Sequence, residues 1–137
     1  MGAYASLEQN AVVANIGGGS AIGAINGPSI DTAGYSEAMI VLATGLAVAT
    51  GTLACKIQDS ADNAAFADVA GAAFAGLVAT DDNKAKIGRL KLDGNLVRRY
   101  IRAVTTVGTA TVDHVVLAVL SGNQYSPQTV ETVQFSI

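Results

Sequence analysis

His114 is the single histidine of this 137-residue chain and Cys55 its single cysteine. General-base catalysis by an imidazole needs a nucleophile and an orienting carboxylate beside it. His114 lies in the run VDHVV, where strand alternation sets it with Val112 and Val116 and turns the neighbouring Asp113 to the other face. That placement reads as a satisfied structural or interface histidine, and one histidine supplies no multi-histidine metal site. Cys55 alternates with Leu53 and Ile57, so it reads as a small buried hydrophobe, whereas a reactive thiolate needs an electropositive, accessible setting. A lone cysteine excludes an intrachain disulfide and a cysteine-based zinc site.

Two further groupings have the composition of ligand loops. Gly17-Gly18-Gly19-Ser20 with Gly23 is glycine-rich enough to cradle a phosphate, but the lysine and the following helix of a P-loop are missing, as is the strand–loop–helix unit of a dinucleotide site. Asp59, Asp62 and Asn63 offer oxygen ligands in one turn, and Asp81, Asp82 and Asn83 do so in another. Neither turn has the spacing of a calcium loop, so both read as solvated turns. No catalytic, cofactor-binding or metal-binding residue is therefore assigned.

Charge is distributed very unevenly. Between Lys84 and Arg102 there are seven basic residues and one acid, a net of +6; elsewhere Lys56 faces ten acids, a net of −9. If the strands on either side of Asp93-Gly94 pair, Arg89, Arg98, Arg99 and Arg102 join with the lysines into one stripe. Such a stripe can meet a neighbouring subunit's acidic loops. It can equally be a solvated face, or be neutralised within the chain by the acidic turns. Nucleic acid is the weakest of these readings, because the chain as a whole is acidic and poor in aromatics.

The elements that hold these residues are strands. Thr52 to Gln58 alternates cleanly, and Lys84 to Leu92 alternates basic with apolar residues, as expected of a strand with one wet face. Val97 to Thr106 and Ala110 to Leu120 are β-branched runs joined across Gly108, and Glu131 to Ile137 alternates Val133, Phe135 and Ile137. The stretch Gly71 to Thr80 is ambiguous, since its alanines suit a helix and its glycines oppose one. Seven or eight short strands without an amphipathic helix give an all-β fold, an antiparallel β-sandwich of jelly-roll-like type. Residues 1–36, with their many glycines, read as an extended N-terminal arm with short strands, and residues 37–137 as the sandwich domain. Within the arm, Ile16, Ile22, Ile25 and Ile30 are the candidate contact residues.

Half of the residues are apolar, but only 14% are charged, against about 25% in an average soluble domain. A chain so sparsely charged is expected to hide surface in contacts with other subunits. No apolar run approaches the roughly 20 residues of a membrane-spanning helix. The first residues, MGAYASLEQNAVV, lack the basic and apolar regions of a secretory signal, so synthesis in the cytosol is expected.

The succession GTLACKIQDSADNAAFADVAGAAF, KIGRLKL and RRYIRAVTTVGTATVDHVVLAVL resembles small virion proteins of tailed bacteriophages. In that group an alternating strand, a polar turn and a short aromatic-containing strand precede an RYIRA strand and a β-hairpin. The resemblance covers about residues 37–125 and is closest to capsid decoration, or cement, proteins. It implies a non-enzymatic homotrimer on the capsid exterior that clamps neighbouring major capsid protein subunits, with no nucleic acid, membrane or small-molecule partner. A tail-tube or neck subunit is the alternative among virion proteins. A carbohydrate-binding β-sandwich is the alternative from another class, although the chain has no Trp and only Tyr4, Tyr35, Tyr100 and Tyr125 to offer sugar rings.

Overall fold

Strand after strand in this chain places an apolar side chain at every second residue, and such strands are stable only when those faces are covered. The computed structural model describes residues 11–47, 50–78, 83–92 and 96–122. These form ten strands: β1 (Ala11–Gly19), β2 (Gly23–Asn26), β3 (Ile30–Asp31), β4 (Glu37–Ala47), β5 (Thr52–Ser60), β6 (Ala67–Ala73), β7 (Leu77–Val78), β8 (Ala85–Lys91), β9 (Tyr100–Gly108) and β10 (Val112–Ser121).

Two antiparallel sheets result. Sheet A has the order β1-β10-β4-β8, and sheet B the order β2-β9-β5-β6, with β3 continuing β2 along β9 and β7 continuing β6 along β5. The fold is the expected antiparallel β-sandwich. Its core is filled from sheet A by Ile40, Leu42, Val116 and Leu120, and from sheet B by Leu53, Ile57, Ile101 and Val107. Small residues, Ala38, Ala103 and Ala118, complete it, which fits a chain so poor in aromatics. Cys55 lies in this core, and burial pushes its thiol up to about 12, as expected of an inert hydrophobe.

Residues 11–31, within the stretch expected as an arm, are strands of both sheets. β1 pairs with β10 along its whole length, and β2 and β3 pair with β9. Ile16 is fully buried in the core, and Ile30 packs against it. The chain passes from β1 at the edge of one sheet to β2 at the edge of the other, closing one side of the sandwich. Gly27, between β2 and β3, lets the backbone there lie against that of β1. Its N–H donates to the carbonyl of Ala103 at 2.8 Å, and a Cβ on it would collide with the backbone carbonyl of Ile16.

Two expectations about pairing are corrected. Val97–Thr106 and Ala110–Leu120 do not form a hairpin: β9 belongs to sheet B and β10 to sheet A, and residues 109–111 carry the chain across the core. Likewise β8 and β9 do not pair around Asp93-Gly94, because β8 binds β4 in sheet A. The ambiguous stretch from Gly71 resolves into the end of β6 and the short β7. The expected strand Glu131–Ile137 lies outside the described residues, as do Asp81, Asp82 and Asp93.

Candidate functional site

The seven basic residues divide between the two sheets. Lys86, Arg89 and Lys91 sit on β8, an edge strand, and Lys84 just before it. The order of residues prevents them from sharing one face. Lys84 and Lys86 have one parity, Arg89 and Lys91 the other, and β8 runs without a bulge opposite β4. Arg89 and Lys91 therefore stand on the outward side of sheet A with Ile87, opposite Met39, Glu37 and Val41 in register.

Arg98, Arg99 and Arg102 lie at the other sheet, and each is engaged within the chain. Arg98 clamps Asp59: its backbone N–H and Nε donate to the two carboxylate oxygens at 2.8 Å, and a terminal guanidinium nitrogen donates to the Asp59 carbonyl at 2.8 Å. Asp59 is buried at the end of β5, so this charge-assisted fork satisfies a carboxylate that burial alone would penalise. Arg99 forms a two-pronged pair with Asp31 at 2.9 and 2.7 Å and leans over the Tyr100 ring. The Arg99 guanidinium holds the Asp31 carboxyl below its ordinary value. Arg102 bonds the side-chain carbonyl of Gln58 at 2.8 and 3.0 Å and lies 4.1 Å over the Phe66 ring. Gln58 in turn donates to Asp68, which Lys56 also reaches at 2.9 Å. Two of the three arginines are thus neutralised by carboxylates, while Arg102 keeps its charge between an amide and a ring.

The remaining candidates are structural. His114 is buried between the sheets, with Nδ1 2.9 Å from the carbonyl of Val112 and Nε2 2.9 Å from the hydroxyl of Thr105 on β9. A neutral imidazole donating to the carbonyl and accepting from the hydroxyl satisfies both bonds. Asp113 faces outward, as alternation requires. In the turn after β5, Asp62 accepts from Ser60 Oγ and from the N–H groups of Ala64 and Ala65, which hold its carboxyl down at about 2. All three bonds fall on Oδ1, and no group of three His, Cys, Asp or Glu side chains suited to a metal occurs among the described residues. Gly17–Gly19 end β1 against β10; a Cβ on Gly18 would stand 2.7 Å from the carbonyl oxygen of His114. Close backbone approach accounts for a glycine there.

Surface apolar groups are more informative. Ile22 is 59% exposed beside β2, where Ile25 is half-buried. An open groove of about 250 Å³ runs between the two edge strands β6 and β8, lined by Ala72, Phe74, Ile87 and Leu90. Leu96, 81% exposed, stands in the connection from β8 toward β9. Sequence reasoning missed this groove because it lies between edges of different sheets.

No protein-family model matches the chain, and no curated protein matches it in sequence. Solved structures share its fold. The SPBc2 prophage-derived protein YomS aligns with a TM-score of 0.55 at 10% identity, covering 81% of this chain and 92% of YomS. The PBSX exported protein XepA aligns with a TM-score of 0.53 at 15% identity, covering 91% of this chain. The chain spans 42% of XepA, so it matches a part of that protein. At such identities the likeness is one of fold.

Proposed function

We propose that this chain is a virion structural protein of a tailed bacteriophage: a decoration protein that binds the outer surface of the head and ties neighbouring major capsid protein subunits together. The observation that carries the reading is the near end-to-end fold likeness to the prophage-derived YomS, which adds to the strand-and-turn resemblance over residues 37–125. The conduct of the polar groups supports it. His114, Cys55, Asp59, Asp31 and Asp62 are each consumed by packing or by structural bonds, so the described chemistry holds the sandwich together. This supports a reading in which the chain acts by binding.

Such a protein works by mass action. By binding the assembled shell and not its free subunits, it raises the free-energy cost of taking the shell apart. Individually weak contacts suffice when several copies engage together, because the later contacts form at high effective concentration. Of the contact residues expected from the sequence, Ile22, Arg89 and Arg102 retain the apolar exposure and the charge that such a contact uses.

The test is co-sedimentation of the purified chain with phage heads that lack a decoration protein. Saturable binding to the shell, together with a higher melting temperature of the decorated heads, is the expected result. Binding to tail tubes and not to heads would replace this reading with that of a tail subunit.

A further inference from the structure

β4 and β10 are the inner strands of sheet A, and both are apolar on both faces. Ile40 and Leu42 with Val116 and Leu120 point into the core. Met39 and Val41 with Leu117 and Val119 point the other way. An antiparallel sheet with one face in water alternates apolar and polar residues, whereas near-continuous apolar strands belong to sheets covered on both sides. The register extends this outward face across all four strands. One row reads Val13, Val119, Met39, Arg89, and the next Asn15, Leu117, Val41, Ile87. Val13 is 63% and Ile87 61% exposed. Among the described residues no strand packs upon this face.

We propose that the outward face of sheet A is the interface with a second copy of this chain, the two copies being related by a two-fold axis running across the strands. Two observations select a second copy. The first is extent. Four strands about 4.8 Å apart and nine residues at about 3.4 Å each give a face of roughly 600 Å² in projection, approaching the roughly 800 Å² of accessible surface that a stable interface takes from each partner. The second is relief. The row toward Lys91 contains Val13, Val119 and Met39, and the row toward Asp113 contains Val115, Ala43 and Ala85. The same rotation lays the bulky row on the shallow one, with the central row packing on itself. Because a sheet-on-sheet contact needs side chains that interdigitate, this taper makes the face complementary to its own inverted copy.

The inference stands apart from the virion reading, since a dimer in free solution requires no phage head. Its test is the mass of the full chain by light scattering across a concentration series. The expected mass is twice the 13.8 kDa of one chain. Ile87→Glu, at an already exposed position, and Val41→Glu, at the centre, are each expected to weaken self-association at least tenfold while leaving the far-ultraviolet circular dichroism of the sandwich unchanged. A single-chain mass at 100-fold the concentration of the assay, a three-chain mass, or a dimer indifferent to Ile87→Glu and Val41→Glu would overturn the proposal.

Discussion

Gly27 stands between β2 and β3 with the backbone of Ile16 pressed against its α-carbon, so a methyl group has nowhere to go. Gly27→Ala is expected to lower stability by about 3 kcal/mol, in the upper range for single substitutions, read as a shift of the urea midpoint. Asp59 is the other residue on which local order turns. Asp59→Ala would strip Arg98 of its two bonds to the carboxylate, and with Arg98 itself 44% exposed the expected loss is about 2 kcal/mol, below that of a wholly buried pair. Asp62 carries the acid response. Its folded carboxyl titrates near 2, against 3.8 for the free group, so the folded state binds its proton less readily than the unfolded chain does. The stability it contributes is complete above about pH 4 and is lost as the pH falls toward 2. Asp62→Asn is expected to lower the melting temperature at pH 7 and to flatten its fall across that window.

At the scale of elements, β9 and β10 are tied by a bond that crosses the core. The hydroxyl of Thr105 and the ring of His114 satisfy each other inside the sandwich, where either alone would remain buried and unpaired. His114→Ala is expected to cost about 2 kcal/mol or more, and Thr105→Val about half as much. The double variant His114→Leu/Thr105→Val should cost less than the sum of the single changes, a coupling that a double-mutant cycle in urea reads directly. The alternation of VDHVV placed His114 on the inner face, but its partner was beyond reach of the sequence, since Thr105 belongs to the other sheet. The division of the basic residues could have been read earlier. The parity change between Lys86 and Arg89 forbids a single basic face on any unbulged strand, whatever that strand pairs with.

At the scale of the molecule, the first described strand pairs with the last. β1 lines the exposed side of β10 and brings Ile16 into the core, so the sandwich closes only when the two ends of the described chain have met. Such sequence-distant pairing makes folding slow for the size of the protein, in the millisecond-to-second range. Removing residues 1–19 is expected to abolish cooperative unfolding, as followed by circular dichroism during heating. That deletion uncovers an edge of β10 and empties the site of a fully buried isoleucine.

The amino-acid sequence by itself determined the secondary structure and the sidedness of most strands, because alternation is local: Leu53, Cys55 and Ile57 face the core as read, and so do Val112, His114 and Val116. It also determined that the chain is unusually apolar for its charge. Only the tertiary structure decided which strands are neighbours. Pairing depends on which apolar faces can be covered together, and glycine-rich residues 11–31, suggestive of a loose arm by composition, are recruited because small residues let β1 and Gly27 approach their partners closely. The structure likewise decided where the charges go. A basic run that is continuous in sequence is divided by the passage from sheet A to sheet B, so two of its arginines neutralise acids brought to them from β3 and β5, and the apolar outward side of sheet A is left as the surface with the most to gain from being covered.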